Sequence, residues 1–274
     1  MAVADQFRVK SDFVLKETDA NRKVLGAAVT AQPDAKSIDK LQTFNLAEKI
    51  ADLQNVFVAS KAPKLLIILQ GMDTSGKDGT VKGVFGQINP LGARTVAFKA
   101  PSQAEKDHDY LWRIHQEVPA KGEIVIFNRS HYEDVLISKV HDWIDDEECV
   151  RRYAHIRDFE RMLAETGTII LKFFLHISKA EQKRRLEERL ADPDKHWKFD
   201  MQDLAERKYW DAYQRAYETA ICATDSGTAP WYVIPSDSKT QRNLAIASIV
   251  LEKLESMKLK FPPANPDYAK IKVE

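Results

Sequence analysis

Cysteine is scarce in this 274-residue chain, which has only Cys149 and Cys222. The two lie far apart and form no CxxC pair, so the sequence offers neither a zinc site nor a disulfide framework. Long apolar runs are also missing: Leu65–Leu69 and Thr168–Ile177 are far shorter than the roughly 20 residues of a membrane span. The first ten residues lack the apolar core of a signal peptide. We therefore expect a soluble cytoplasmic protein with no membrane partner.

An excess of one charge is absent too, because 41 basic and 41 acidic residues balance at a pI near 7.1. A protein that coats DNA or RNA through bulk charge is usually basic, so we expect no nucleic acid partner. The chain is 44% hydrophobic, which is too much for a disordered protein and enough for a sizeable core. Its seven histidines show no spacing typical of a metal site.

Short, β-rich runs alternate with helical segments along the chain. The runs show no polar alternation, which is typical of strands buried on both faces of a parallel sheet. We predict five strands, at Lys64–Gln70, Thr95–Phe98, Glu123–Phe127, Thr168–His176 and Pro230–Ile234. The alternation indicates an α/β protein with helices on both faces of the sheet.

The helices are predicted from apolar spacing and from capping residues. They cover Leu41–Ala59, a segment ending near Asn89, Ser102–Val118, Ser130–Val140, Asp146–Glu165, Ser178–Leu190, a long stretch to about Ala220, and Lys239–Met257. Three of them begin with Ser-x-x-Glu, the spacing of a capping box. We expect one domain over 41–258, an N-terminal extension over 1–40 and a C-terminal tail over 259–274.

A glycine-rich loop follows the first predicted strand and opens a helix. It reads Gly71-Met-Asp-Thr-Ser-Gly-Lys-Asp-Gly79, which matches the G-x-x-x-x-G-K phosphate loop. Glycines let backbone N–H groups turn toward phosphate oxygens, and Lys77 adds a full positive charge. The candidate phosphate-binding residues of this loop are Gly71, Thr74, Ser75, Gly76, Lys77, Asp78 and Gly79.

Two acidic residues distinguish this loop from the usual pattern. Asp78 stands where the usual loop has a Ser or Thr hydroxyl, and Asp73 lies inside the loop. A carboxylate beside bound phosphates is repelled unless a cation bridges them, so we infer that Asp73 helps to hold Mg²⁺, with Mn²⁺ as the alternative ion. Asp78 is equally well explained as an acid that stabilises the first turn of a helix.

A second polar cluster, Asn128-Arg-Ser-His-Tyr-Glu-Asp134, closes the third predicted strand. Catalytic groups of open parallel sheets collect at the carboxyl ends of the strands. Arg129 is a candidate to bind phosphate through its forked guanidinium. Asn128 stands where a phosphate-loop enzyme usually has a metal-binding acid. Glu133 has two open interpretations: it is a site residue, or it is the partner of Ser130 in a capping box.

Basic residues crowd the segment after the fourth strand. Arg185 and Arg189 are four residues apart and share one face of a helix. Either they pair with neighbouring glutamates on a solvated surface, or at least one of them binds phosphate. Trp197, within Lys195-His-Trp-Lys198, is expected to anchor this segment by packing rather than to stack on a base.

Several stretches together resemble the family 2 polyphosphate kinases. They are G-M-D-T-S-G-K-D-G, F-K-A-P-S, H-D-Y-L-W-R, F-N-R-S-H-Y-E-D and D-P-D-K-H-W-K, with A-P-W downstream. They occur in order between about Leu41 and Leu254, and their combination is far more specific than any one motif. The R-S-H-Y-E-D stretch resembles the subfamily that accepts nucleoside monophosphates as well as diphosphates.

The resemblance implies a three-layer P-loop kinase fold with a helical lid over about 178–200. It implies reversible, Mg²⁺-dependent transfer of the terminal phosphate of inorganic polyphosphate to AMP and ADP, or to other purine nucleotides, by a homodimer or homotetramer. The family's roles fall on Asp73 near the metal and on Lys77, Arg129 and the lid residue Arg189 at the transferred phosphate. Many members have Asp where this chain has Asn128.

A linear polyphosphate carries roughly one negative charge per unit, so it requires a row of basic residues. Candidates for that channel are Lys82, Lys99, Arg113, Lys195 and Lys198. Two other functions fit the same fold: an ATP-dependent nucleotide or small-molecule kinase, and a nucleotide-binding regulator without catalysis.

Overall fold

One five-stranded sheet forms the centre of the molecule, whose computed structural model describes residues 2–24, 32–61 and 63–273. The strands are β1 (Lys64–Gln70), β2 (Ala93–Ala97), β3 (Ile124–Asn128), β4 (Thr168–His176) and β5 (Trp231–Pro235). They are all parallel, in the order β2-β3-β1-β4-β5, and Leu66 pairs with Val125 on one side and Ile170 on the other. The predicted α/β class and the five strands are confirmed.

The described ranges contain eleven α-helices. They are α1 (Val3–Phe7), α2 (Ala35–Ser60), α3 (Lys77–Phe85), α4 (Gln103–Lys106), α5 (Trp112–His115), α6 (Glu133–Val140), α7 (Asp146–Glu165), α8 (Lys179–Ala191), α9 (Met201–Glu206), α10 (Trp210–Thr224) and α11 (Lys239–Ser256). Short 3-10 turns lie at Glu17–Asn21, Pro90–Gly92, Pro193–Lys198, Arg207–Tyr209 and Pro266–Lys270. No helix of these ranges is both long and apolar enough to cross a membrane.

Helices cover both faces of the sheet, which explains why β1 is apolar at successive positions. Leu65, Ile67 and Leu69 pack in a cluster with side chains of α2, α3 and α11. Leu66 and Ile68 pack on the opposite face with side chains of α6, α7 and α10. Because both faces are buried, the carboxyl ends of the strands are the part of the sheet that remains open to a ligand.

Two predicted helices are broken, and an aspartate explains the break in the first of them. Ser102–Val118 is two short helices, because the side chain of Asp109 accepts the N–H of Leu111 and starts a new turn. The predicted long helix to Ala220 is divided into α9 and α10 by a 3-10 turn, and the side chain of Asp200 caps α9 by accepting the N–H of Gln202. The capping box at Ser102 is confirmed.

The N-terminal extension packs against the sheet edge. The backbone N–H of Val9 donates to the carbonyl of Trp231 in β5 at 3.0 Å, and Phe7 is buried. Residues 25–31 of the predicted extension lie outside the described residues. The helix predicted to start at Leu41 begins at Ala35.

Candidate active site

The phosphate loop joins the end of β1 to the start of α3. Thr74 has a φ of 64° and Gly76 a φ of 104°, so the chain passes through left-handed conformations here. A Cβ on Gly76 would lie 1.9 Å from Nη1 of Arg242, which explains why the loop requires glycine there. No side chain caps the start of α3, so the N–H groups of its first turn can bind an anion.

Lys77 is buried and reaches back across the loop. Its Nζ donates to the carbonyl of Gly71 at 2.7 Å and lies 3.4 Å from that of Met72. Burial, and then the nearby guanidinium of Arg129, lower the pKa of Lys77. The ammonium is therefore held inside the loop that the sequence predicts to bind phosphate.

Arg129 and Asp73 form an ion pair across the carboxyl ends of β1 and β3. Arg129 follows β3 with a φ of 64°, and its Nη2 donates to Oδ1 of Asp73 at 2.8 Å. Burial acts to lower the pKa of Arg129, but the carboxylates of Glu133 and Asp73 raise it above its usual value. Such a left-handed non-glycine residue is typical of functional sites. The predicted metal-binding acid and the predicted phosphate-binding arginine are thus in contact.

Asn128 and Asp78 form a second contact, between the end of β3 and the first turn of α3. Nδ2 of Asn128 donates to Oδ1 of Asp78 at 2.8 Å. Asp78 lies in the first turn of α3 and also faces the cleft described below, so its position fits both of its interpretations.

Glu133 takes no part in a capping box, so that interpretation is wrong. The helix predicted to begin at Ser130 begins at Glu133, because Arg129 is left-handed and Oγ of Ser130 accepts the N–H of Tyr132 instead. Oε1 of Glu133 accepts Nε2 of Gln70, the last residue of β1, at 3.0 Å. Glu133 is therefore held beside the phosphate loop, where its charge acts on Arg129.

Arg185 of α8 is buried, and all five of its N–H groups are bound within the protein. Its partners are the carbonyls of Thr74 (2.9 Å), Ser75 (3.1 Å), Ser236 (2.6 Å) and Asp237 (3.0 Å) and the carboxylate of Glu181 (2.7 Å). With these partners Arg185 has no N–H group left over for phosphate, and its phosphate binding stays a prediction. The residue connects α8 to the phosphate loop and to the β5–α11 loop.

Arg189, one turn further along α8, faces the cleft. Its Nη1 donates to the carbonyl of Lys198 at 2.9 Å and to Oδ2 of Asp203 at 3.2 Å. Burial, followed by repulsion from Asp73, raises the pKa of Asp203 to about 6. Arg189 thus lies opposite the phosphate loop, as a lid residue that binds the transferred phosphate must.

A cleft of about 670 Å³ brings most of the predicted residues together. Those that line it are Asp73, Thr74, Gly76, Lys77, Asp78, Gly79, Lys99, Asn128, Arg129, Arg185, Arg189, Lys195 and Lys198. Gly71 and Ser75 belong to the same loop and present their carbonyls to Lys77 and Arg185.

Two predicted channel residues lie outside the lining of this cleft. Lys82 is exposed on α3, away from the cleft lining. Arg113 is buried; its Nη1 donates to the carbonyl of Lys99 at 2.9 Å, and its guanidinium lies over the ring of Phe98. Neither residue therefore lies with the phosphate loop, Arg129 and Arg189 in the lining of this cleft. Arg113 instead holds the segment that carries Lys99.

Trp197 does not anchor the lid by packing, so this expectation is also wrong. Its side chain is 79% exposed and lines the cleft, with Nζ of Lys198 4.7 Å from its ring centroid.

The structure adds residues that the sequence did not indicate. Arg242 of α11 is buried beneath the phosphate loop and donates to the carbonyl of Ser75 at 3.0 Å. Burial, with nearby Arg185, lowers the pKa of Arg242 to about 9. Other cleft residues that were not proposed as site residues are Phe98, Glu188, Asp200, Asp203 and Lys239. The motif F-K-A-P-S pointed to Phe98, but no local pattern marks the others, because they meet the loop only through the fold.

A divalent cation fits the donor set at Asp73. Among the described residues, no group of three His, Cys, Asp or Glu side chains is arranged to hold a metal ion. Mg²⁺ is commonly bound through one or two carboxylates, with substrate phosphates and water as the other ligands. Asp73 faces the cleft beside Lys77 and can supply such a carboxylate.

Comparison with known proteins agrees with this geometry. The family model described as polyphosphate kinase 2 matches residues 34–262. An AMP/ADP-polyphosphate phosphotransferase from Meiothermus ruber is 50% identical over 229 residues, which cover 84% of this chain and 86% of the relative. An ADP-polyphosphate phosphotransferase from Rhodopseudomonas palustris is 42% identical over 80% of each chain.

A solved structure shows the same fold over nearly the whole chain. The crystal structure of polyphosphate kinase 2 from Arthrobacter aurescens TC1 superposes with a TM-score of 0.92 at 43% identity, and covers 98% of this chain and 95% of the other. Sequence, fold and a cleft built around the phosphate loop lead to one conclusion: the chain belongs to the polyphosphate kinase 2 family and is a polyphosphate kinase.

Proposed function

We propose that this kinase moves the terminal phosphate of inorganic polyphosphate to AMP and to ADP, giving ADP and ATP in a reversible, Mg²⁺-dependent reaction. Adenine or other purine nucleotides are the acceptors. The observation that carries the proposal is the single cleft in which the phosphate loop, Arg129 and Arg189 face one another. The name of the Meiothermus ruber relative, which includes both AMP and ADP, supports this acceptor range.

The reaction needs no strong base, because the attacking oxygen of the acceptor phosphate is already anionic. This oxygen forms a new P–O bond to the terminal phosphorus, and the bond to the rest of the chain breaks. The shortened polyphosphate leaves with the electron pair of that bond. Catalysis then consists of positioning and charge neutralisation, which we assign to Lys77, Arg129 and Arg189.

Asp73 is the residue that we assign to the metal. A bound Mg²⁺ neutralises charge on the phosphate oxygens. We propose that the Asp73 carboxylate holds it, directly or through water, since Asp78 replaces the hydroxyl that the usual loop provides. Asp73 also accepts the hydrogen bond from Arg129, which supports the assignment of that guanidinium to the same phosphate oxygens.

The basic lining of the cleft favours polyphosphate as the donor. Lys99, Lys195 and Lys198 line it beyond the phosphate loop, on the β2 side and on the lid. A nucleoside triphosphate has three phosphates to neutralise, whereas a long polyphosphate can use a series of cations. These lysines are therefore the part of the site that distinguishes this proposal from an ATP-dependent kinase.

A donor comparison tests the proposal. Purified protein with AMP, polyphosphate and Mg²⁺, but no ATP, should form ADP first and then ATP. A parallel reaction with AMP and ATP, but no polyphosphate, should be at least about tenfold slower. Phosphorylation of AMP that requires ATP and ignores polyphosphate would instead identify an ATP-dependent nucleotide kinase.

We also propose that the protein acts in the cytoplasm as a homodimer or homotetramer without a nucleic acid partner. Light scattering coupled to size exclusion measures the assembly directly, and a monomeric mass would contradict it.

A further inference from the structure

A short stretch of the N-terminal extension contacts the base of the lid, although it precedes the 34–262 region that the family model matches. We call residues Lys16–Ala20 the N-terminal strap. The carbonyl of Lys16 lies 2.9 Å from Nε2 of His176, at the end of β4. Oε1 of Glu17 accepts the N–H of Lys179, the first residue of α8, at 2.8 Å. Ala20 is fully buried, and its carbonyl accepts the N–H of Asp237 at 3.1 Å.

The strap is connected to the phosphate loop through two further residues. Oδ1 of Asp237 accepts the N–H of Ser178 at 2.8 Å, and its carbonyl accepts Nη2 of Arg185 at 3.0 Å. Nη1 of Arg185 donates to the carbonyl of Thr74 at 2.9 Å. A continuous series of hydrogen bonds therefore runs from the strap, through the β5–α11 loop, to the loop that binds phosphate.

Two carboxylates from other segments bind the start of α8. The first N–H groups of a helix have no partner within it, and carboxylates there are favourable in both hydrogen bonding and charge. Here Glu17 and Asp237 bind two successive N–H groups, at Lys179 and Ser178. Arg189 lies ten residues beyond Lys179 on the same helix, at about 15 Å.

A small tilt at the start of such a helix produces a large displacement of Arg189 at the site. A tilt of about 10° at Lys179 displaces Arg189 by roughly 2–3 Å, given the rise of an α-helix. A misplacement of about 1 Å is enough to lower a rate severely when a reaction depends on positioning.

We propose that Glu17 is a positioning residue for phosphoryl transfer: the strap fixes the start of α8 and thereby sets the position of Arg189 over the cleft. The proposal rests on the proposed function of the site. It assigns to a segment outside the matched family region a part in placing the lid, without any contact between that segment and substrate.

The test compares three variants of the full chain. Glu17→Ala removes the acceptor, Glu17→Gln keeps an acceptor oxygen without the charge, and Asp12→Asn removes an exposed carboxylate of the same extension before the strap. Glu17 is exposed, so all three should fold. The measurements are kcat and KM for ADP with polyphosphate, the melting temperature, and amide hydrogen exchange over residues 178–182.

We expect Glu17→Ala to lower kcat about fivefold or more, with KM for ADP within about twofold of wild type. Exchange at the first turn of α8 should be about tenfold faster. Glu17→Gln should lie between wild type and Glu17→Ala, and Asp12→Asn should equal wild type.

An unchanged kcat in Glu17→Ala would overturn the proposal. So would a lower kcat with unchanged exchange at α8, because the effect would then not pass through that helix. A wild-type protein inactive with polyphosphate would refute the proposed function instead, and the exchange measurement would still show whether Glu17 fixes the start of α8.

Discussion

At the scale of single residues, two arginines of the cleft are paired with acids from other segments. Arg129 after β3 binds Asp73 of the phosphate loop, and Arg189 of α8 binds Asp203 of α9. Each of these two hydrogen bonds uses only one nitrogen of the guanidinium, so each arginine keeps other N–H groups with which it can approach phosphate. The pairs hold the guanidinium groups in place before substrate arrives, which is the condition for catalysis by fixed charges.

Glu133 gives a prediction about the acceptor. Because Glu133 is bound by Gln70 and is not part of a capping box, its replacement should affect the site more than the stability of α6. Glu133→Asn should lower kcat/KM for AMP relative to ADP by about tenfold, which is about 1.4 kcal/mol, with little change in melting temperature. The control is Glu147→Asn, at an exposed position in the first turn of α7. An unchanged AMP-to-ADP ratio together with a lower melting temperature would show that Glu133 is only structural.

Asp134 gives a prediction about pH. Burial raises its pKa to about 6 although Arg113 and Arg152 act to lower it, and its Oδ2 has no hydrogen-bond partner. The folded chain therefore binds this proton more tightly than the unfolded chain, where the pKa is near 3.8. This proton contributes about 3 kcal/mol to the free energy of unfolding. The contribution is fully present below pH 4 and is lost as the pH rises through 6.

Thermal melts between pH 4 and pH 8 test this assignment. The melting temperature of Asp134→Asn minus that of wild type should increase from pH 4 to pH 7, because the variant lacks the buried carboxylate. A difference that stays constant with pH would mean that Asp134 keeps an ordinary pKa in the folded protein.

At the scale of elements, the sequence predicts best where one interaction dominates. β1 and β4 have the predicted bounds, since a strand buried on both faces is mostly apolar and its ends are marked by polar or glycine residues. Ser102–Val118 and the long helix before Ala220 were predicted as continuous because apolar spacing persists across their breaks. The side-chain hydrogen bond of Asp109 outweighs that spacing in the first segment, and the 3-10 turn Arg207–Tyr209 interrupts the second.

The residues of the candidate site are likewise of two kinds, those that the sequence predicts and those that it does not. The phosphate loop and Arg129 are predictable, because a local motif after a buried strand fixes both their chemistry and their place. Arg242 and Asp203 are not predictable, because they reach the cleft from helices far along the chain. The partners of Arg185 were not predictable either, because its spacing with Arg189 shows a shared helix face but not which carbonyls that face meets.

A buried ion pair between β4 and α7 gives a prediction about stability. Nζ of Lys172 donates to Oε2 of Glu160 at 2.6 Å and to the hydroxyl of Tyr132 at 2.9 Å, and all three side chains are buried. Burial acts to raise the pKa of Glu160, but the Lys172 ammonium, with His131, brings it below its usual value. Glu160 is therefore ionised and balances the charge of Lys172, which lies in the middle of β4.

Removing one partner should leave the other charge buried and uncompensated. Glu160→Gln should lower the free energy of unfolding by about 3–5 kcal/mol. The control Glu165→Gln, at the exposed end of the same helix, should change it by less than about 0.5 kcal/mol. Urea denaturation measures both, and equal stabilities of the two variants would contradict the ion pair.

At the scale of the whole molecule, a chain with no net charge concentrates positive charge in one cleft. Such a cleft should bind a long polyanion through several contacts and a nucleotide through few. The slope of log binding constant against log salt is therefore expected to be steeper for long-chain polyphosphate than for ADP. Titrations of both ligands at several salt concentrations measure the slopes, and equal slopes would mean that no extended polyphosphate path exists.

The most direct measurement is ATP formation from ADP and polyphosphate in the presence of Mg²⁺, made on the wild type and two lysine variants of α3. Lys77→Ala removes the ammonium held in the phosphate loop, and Lys82→Ala removes an exposed lysine of the same helix outside the cleft. We predict that the wild type forms ATP, that Lys77→Ala lowers kcat by about 10²–10³ without loss of the fold, and that Lys82→Ala matches the wild type. Absence of ATP from the wild type, or near-normal turnover by Lys77→Ala, would contradict the assignment of this cleft as a polyphosphate-dependent phosphotransferase site.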